Sequence, residues 1–426
     1  MPSVEERLGS AGDAYRRMWQ ELLPVGRYGA TGGYRRHAWN SADAECRGWF
    51  EEQARSRGLA FEVDRNGNQW AWWGDPQAGD AVVTGSHLDS VPDGGAFDGP
   101  LGVISSFAAV DALREHGVRP RRPLAVVNFG DEEGARFGVA CVGSRLTAGV
   151  LAPDRARALT DTGGVRLGEA MQRAGHDPDA LGHDADRLAR IGAFVELHVE
   201  QGRYLADTGS PVGVASAIWP HGRWRFDFHG EANHAGTTRL ADRRDPMLPY
   251  AAAVLAAREQ ARQHGSLATF GRVAVEPNGT NAIACLVRGW LDSRAADQPA
   301  LDATVQAVRH AAEQQAAREG VRVAVTQESY TPVVDFDNRL RDRLARAIAC
   351  GTLEQPATGQ EPRTVPVLPT GAGHDAGILS AAVPTAMLFV RNPTGVSHSP
   401  REAAEESDCL AGAAALADVL EELACR

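Results

Sequence analysis

Two short apolar runs near the start of the chain, Ala81 to Thr84 and Leu124 to Phe129, are rich in β-branched residues and bounded by Gly, Pro or Asp. That is the pattern of strands buried on both faces. Between them, Val103 to His116 carries apolar residues at helical spacing, with Gly117 as its stop. Phe194 to Val199 predicts another strand. This β-α-β order predicts an α/β fold around a mainly parallel, helix-covered sheet.

From about Val212 the pattern changes. A strand (Trp224 to Gly230) precedes a helix (Pro246 to His264), and two strands follow (Ala268 to Val275 and Ala282 to Leu291). A second helix (Pro299 to Gly320) and a last strand (Arg322 to Glu328) complete a β-α-β-β-α-β unit of ferredoxin-like order. After Tyr330 the first pattern resumes, with a helix near Leu340 to Ala349, a strand at Pro384 to Val390 and a helix from about Glu405. The expected organisation is therefore a catalytic domain in two parts, 1–211 and 330–426, interrupted by an inserted domain at 212–329. Gly351 to Thr364 reads as a polar loop. Trp70, Trp72 and Trp73 read as packing residues of an edge strand.

Composition narrows the function. The chain has 426 residues, more than one core usually serves. Its 44 basic and 55 acidic residues leave a net charge of −11, which disfavours nucleic acid as a partner. No apolar run reaches membrane-spanning length, the first ten residues do not resemble a secretion signal, and the six cysteines are scattered. A cytoplasmic protein with reduced thiols is expected. Lysine is absent altogether, so no Schiff-base, P-loop or general-base lysine can operate.

Four clusters carry chemistry. His87 lies in Gly85-Ser86-His87-Leu88-Asp89 directly after a strand, where α/β sheets place their ligands. Asp89 is placed to fix the tautomer of His87, and Asp98, eleven residues past His87, is flanked by glycines that permit a tight loop back. The second cluster is Asp131-Glu132-Glu133-Gly134, where adjacent carboxylates repel unless a cation relieves them. Third, Glu196, His198 and Glu200 share one face of a strand. Fourth is Ser397-His398-Ser399-Pro400. Each alone reads as readily as an ordinary turn or a satisfied histidine. Together they supply imidazoles and carboxylates suited to zinc or manganese. Gly371-Ala372-Gly373-His374-Asp375 reads as a pocket lining or a helix-start turn, and no G-x-S-x-G elbow is present.

The ordered set G-S-H-x-D, F-D-G, D-E-E-G, E-L-H-x-E-Q-G, N-H-A-G-T-T, D-x-R and S-H-S-P, spanning about Gly85 to Pro400, resembles the M20 metallopeptidase family. In particular it resembles the hydantoinase/carbamoylase branch, which includes N-carbamoyl-L-amino acid hydrolases and allantoate amidohydrolases. The resemblance implies that Asp98 bridges two divalent ions, zinc or manganese with cobalt or nickel as further options. His87 and His198 would hold one ion, and Glu133 and His398 the other. It implies Glu132 as general base, Asp89 behind His87, and Gln201, Asn281 and Arg294 on a carboxylate-bearing substrate. It also implies a homodimer in which His234, in the inserted lid and dimerisation domain, reaches the partner's site. The chain departs from the family pattern at Arg239, Ala284-Cys285 and Ala403-Ala404, none of them an implied ligand. Hydrolysis of a ureido C–N bond is the expected reaction. A dipeptidase or N-acyl-amino acid deacylase, and a catalytically inactive metal-binding scaffold, are the alternatives.

Overall fold

The computed structural model describes residues 3–351 and 364–425. It divides into two compact units, Met1–Ser216 with Asp335–Arg426, and Ala217–Val334. Along the first unit run β1 (Ala60–Val63), β2 (Gln69–Trp73), β3 (Ala81–His87), β4 (Leu124–Phe129), β5 (Ile191–Val199) and β6 (Val212–Ile218). The chain then builds β7 (His221–His229), β8 (Asn233–His234), β9 (Ser266–Glu276), β10 (Ala282–Ile283), β11 (Leu286–Ala295) and β12 (Arg322–Thr331). It returns through β13 (Val334–Asp335), β14 (Val367–Thr370) and β15 (Thr385–Val390).

The large sheet has the order β1-β2-β4-β3-β5-β15-β6-β13, with β14 also on β6. Its centre, β4-β3-β5-β15, is parallel. The flanking pairs β1-β2, β2-β4 and β15-β6 are antiparallel. β3 and β4 are buried along their whole length, in keeping with their apolar starts, Ala81 to Val83 and Leu124 to Val127. The helix Pro100–Glu115 joins β3 to β4 and starts at Pro100, earlier than its apolar spacing suggests, because proline at the first helical position has the right φ and needs no N–H partner. It lies against β5 so closely that a Cβ on Gly102 would sit 2.2 Å from the Leu197 carbonyl oxygen. The helix Glu406–Cys425 covers the same core.

The second unit is a four-stranded antiparallel sheet of order β12-β7-β11-β9. The helices Met247–His264 and Gln298–Arg318 complete its β-α-β-β-α-β order. Trp224, Phe226, Phe228, Val287 and Leu291 form its core with Leu301 and Val308.

Three expectations change. The tryptophan strand is not an edge strand, because β1 pairs on its outer side; Trp70 and Trp72 are buried there. The single strand expected over Ala282 to Leu291 breaks at Ala284-Cys285 into β10, which pairs with β8, and β11. The Cys285 N–H turns to the Glu276 carbonyl at the break. The polar loop expected at 351–364 lies almost wholly outside the described residues. Among the described residues, no helix is long and apolar enough to cross a membrane.

Candidate metal centre

His87 ends β3 and His198 is the penultimate residue of β5, so the parallel pairing of these neighbouring strands delivers both imidazoles to the same sheet end. Asp98 reaches them from a loop that only glycine permits. Gly99 has φ +84°, and a Cβ there would lie 2.5 Å from the His87 ring. A Cβ on Gly95 would lie 2.5 Å from the Glu402 side chain. Glu402 in turn accepts the backbone N–H groups of Phe97 and Asp98 at 2.9 and 3.0 Å, which fixes the loop.

One oxygen of Asp98 faces His198 Nε2 at 3.1 Å and His87 Nε2 at 3.6 Å. The other faces His398 Nε2 at 3.3 Å, and His398 Nε2 lies 3.6 Å from Glu133. Two groups that can each hold a cation result, His87-Asp98-His198 and Asp98-Glu133-His398, with Asp98 common to both. The ring tautomers fit this use. His87 Nδ1 is 3.1 Å from the Asp89 carbonyl, and His198 Nδ1 is 2.9 Å from the Val199 carbonyl. A carbonyl only accepts, so in the neutral rings the proton sits on Nδ1 and a lone pair on Nε2. Both Nε2 atoms are buried without a hydrogen-bond partner and face a carboxylate. Lone pair against anion is unfavourable unless a cation lies between.

Protonation reports the same crowding. Burial works to raise the Asp98 carboxyl, yet His198, His398 and His87 hold it well below the usual range. Burial, and then the neighbouring Asp375 and Glu133 carboxylates, push Glu132 well up despite His87. Burial and Asp98 push Glu133 up to about 7. The hydrogen bond to Asp98 pushes His398 up to about 9.

Asp89 lies behind His87, with its carbonyl 3.1 Å from Nδ1, and it has further partners. Its carboxylate stands 3.5 Å from His87 Nδ1 and also accepts the N–H groups of Glu132 and Glu133, each at 3.1 Å. It therefore ties the turn carrying both glutamates to the turn carrying His87. Glu196 is buried and accepts Ser86 Oγ and the Ala376 N–H at 2.8 and 2.9 Å. Glu200 lies beyond the end of β5 and turns away to accept the N–H groups of Tyr204 and Leu205. Gln201 donates to Asp98 at 3.0 Å and to Ser397 Oγ at 3.0 Å.

Three residues at this centre lie outside the site residues expected from the sequence. His374 is buried with its ring 4.5 Å from that of His198, and its Nε2 lacks a partner. Cys141 donates its thiol to Glu132 at 3.2 Å. Glu402 holds the Asp98 loop as described. Only His374, in its glycine-rich run, stood out along the chain.

The second unit holds the remaining expected residues. His234 is exposed and pairs with Ala282 across β8 and β10, which sets Asn281 beside it. The Gly236 N–H donates to His234 Nδ1 at 3.0 Å, which leaves the proton of the neutral ring on Nε2. Arg294, near the far end of β11, donates to both carboxylate oxygens of Asp292 at 2.9 and 3.2 Å. It is eight residues beyond Leu286, so about 26 Å of strand separates it from the end near Asn281.

Comparison with known proteins follows this geometry. The profile of Peptidase family M20/M25/M40 matches residues 83–422. The chain is 37% identical to N-carbamoyl-L-amino acid amidohydrolase of Geobacillus stearothermophilus, over 96% of this chain and 98% of that protein. It is 30% identical to allantoate amidohydrolase of Escherichia coli (strain K12), over 96% and 98%. The crystal structure of an amidase of the hydantoinase/carbamoylase family from Burkholderia vietnamiensis superposes with a TM-score of 0.84 at 30% identity, covering 97% of this chain and 98% of that one.

Proposed function

The chain belongs to peptidase family M20/M25/M40, a metal-dependent hydrolase among amidohydrolases that act on C–N bonds, and we propose that it cleaves the terminal ureido C–N bond of a small carboxylate substrate with two bound ions. The substrate is an N-carbamoyl-L-amino acid or allantoate, and the 37% identity to a carbamoyl amino acid amidohydrolase supports the former. The observation that carries the reading is the pair of cation-binding groups sharing Asp98, with the Glu132 carboxylate 3.7 Å from His87 Nε2.

His87, His198 and Asp98 would hold one ion, and Asp98, Glu133 and His398 the other; nitrogen and oxygen donors suit zinc or manganese. Bound there, the ions supply Lewis acidity that polarises the substrate carbonyl and acidifies water. Glu132 takes the proton of the attacking water as its oxygen adds to the carbonyl carbon, and delivers that proton to the leaving nitrogen when the C–N bond breaks. Its raised pKa suits a group that must accept and then donate. Water and a carbamoyl amino acid thus give ammonia, carbon dioxide and the free amino acid.

His234, with its Nε2–H exposed, is a donor suited to the developing oxyanion. Asn281 beside it and Arg294 at the other end of β11 are the carboxylate-binding pair. A strand of about 26 Å keeps them apart within one chain, so both engage one small substrate only when two copies contribute. A homodimer follows from this reading. Arg294 would exchange its bond to Asp292 for the substrate carboxylate.

The test is ammonia release by manganese-loaded protein from N-carbamoyl-L-amino acids and allantoate, beside a Glu132→Ala control. Turnover of either class that vanishes in the control supports the assignment. Cleavage only of dipeptides or N-acyl amino acids moves the chain to the peptidase and deacylase alternative.

A further inference from the structure

Cys141 has no part in the reaction just described, yet the fold presses its thiol against the base. The backbone of Gly130 to Glu132 pairs with that of Cys141 to Gly143. The Cys141 N–H donates to the Glu132 carbonyl at 2.6 Å, Val142 to Asp131 at 3.0 Å and Gly143 to Gly130 at 2.9 Å. Gly134, at φ +60°, closes the turn, and a Cβ there would lie 2.4 Å from the Val139 backbone. Cys141 itself sits at φ +57°, which aims its side chain inward to place Sγ 3.2 Å from Glu132 Oε1.

Asp375 completes the group. Ser144, in the helix Val142–Thr147, donates to its Oδ1, and its Oδ2 is fully buried without a partner. One donor atom from each of Glu132, Cys141 and Asp375 lies within 4.8 Å of the other two. The three residues are 6%, 3% and 0% exposed. Among the described residues, no arginine or histidine hydrogen-bonds to these three side chains, and His87 stands 3.7 Å from Glu132 on the side of Asp98. Burial pushes the Cys141 thiol well above its ordinary value, and burial together with Glu196 pushes Asp375 up to about 8. Three buried acids this close, one with an unpartnered oxygen, are relieved by one divalent ion. A thiol among them selects a softer ion than the carboxylate-imidazole centre does.

We propose that Glu132, Cys141 and Asp375 form a separate, inhibitory site for one thiophilic divalent cation, zinc or cadmium, whose binding withdraws Glu132 from catalysis. Binding forms one metal–sulfur and two metal–oxygen bonds, and the thiol proton together with the protons held by the two carboxyl groups passes to solvent. No electron is transferred. An excess of the metal class that supports the reaction would then arrest it, so activity against zinc concentration rises and falls. The effect on rate rests on Glu132 being the base; the existence of the site does not.

The test titrates manganese-loaded protein with cadmium. Bound cadmium is counted per chain by equilibrium dialysis, and thiolate-to-cadmium charge transfer is read by ultraviolet difference absorption. Cys141→Ala is compared with wild type, and because the other five cysteines are common to both, the difference reports Cys141 alone. Wild type is expected to bind one more cadmium ion with an added charge-transfer band, and to be inhibited at cadmium concentrations lower by at least about tenfold. Asp375→Asn is expected to weaken that last ion by about tenfold. Cys141→Ser, close in size, keeps the comparison available if the alanine variant misfolds. Equal cadmium counts and equal bands in wild type and the cysteine variants would overturn the site. The count and the band are read whether or not a ureido acid is hydrolysed, so failure of the substrate assignment is a separate result.

Discussion

Asp89 accepts the backbone N–H of Glu132 on one carboxylate oxygen at 3.1 Å, and its other oxygen takes the neighbouring N–H of Glu133. Asparagine at this position would turn one acceptor into a donor facing an N–H. Asp89→Asn is therefore expected to lower kcat/KM by about 10- to 100-fold. Metal affinity should fall with it through Glu133. Unchanged kinetics would show that the glutamate turn holds its place without Asp89.

Glu132→Gln keeps the size of the side chain and removes the proton acceptor. Turnover should drop by roughly two to four orders of magnitude while both ions stay bound. Steady-state rates and elemental analysis of the same sample separate loss of chemistry from loss of metal.

Asp98→Asn reaches both cation groups at once, because each uses one oxygen of this carboxylate. After dialysis the variant should retain neither ion tightly, whereas His398→Ala should lose one and keep the other. Chelator should inactivate wild type, and manganese should restore it.

The ion-free protein should lose stability as pH rises. Glu133 is raised from 4.5 to about 7 and Glu402 from 4.5 to about 7, so their charged forms are disfavoured in the fold. That penalty is absent below 4.5 and complete above about 7. His398 is raised from 6.5 to about 9; its stabilisation is full below 6.5 and gone above about 9. Both trends have the same sign, so the melting temperature of chelated protein should decline from about pH 5 to pH 9. Metal-loaded protein should not follow, because cations replace the protons. Parallel melting curves for the two forms would contradict this account.

Mixing tests the proposal that His234 serves the site of a second copy. Neither Glu132→Ala nor His234→Ala homodimers should turn over substrate well. A mixed dimer carries one intact combination, so unfolding and refolding an equal mixture should recover about a quarter of wild-type activity. Recovery no greater than the sum of the two variants would place His234 within its own chain's site or outside catalysis.

How much of this was legible depends on whether the relevant contact is local. β4 occupies the span its apolar run predicted, Leu124–Phe129, and β15 begins one residue later than expected, because strands buried on both faces leave continuous hydrophobic sequence. The amphipathic helix Ser10–Leu22 and its neighbour Ser41–Ser56 were not singled out, their charged faces giving no contrast with the flanking loops. The histidines and carboxylates were visible because they cluster near strand ends. Glu402 was not, since its hold on the Asp98 N–H spans 304 positions that no spacing rule connects. Nor was Cys141, whose approach to Glu132 exists only after Gly134 reverses the chain.

β15 occupies the middle of the large sheet, paired with β5 on one side and β6 on the other. During synthesis β5 and β6 emerge early, and the whole second unit follows before β15 is made. The first unit therefore waits with a gap between two strands whose backbone groups need a partner, while the second unit can already fold. His398 and Glu402 come later still, so the nascent chain has no complete cation-binding pair until its final stretch is released. Completion of the second cation group is then an event of the finished polypeptide, and a chain cut short before β15 loses the seam of its sheet together with that group.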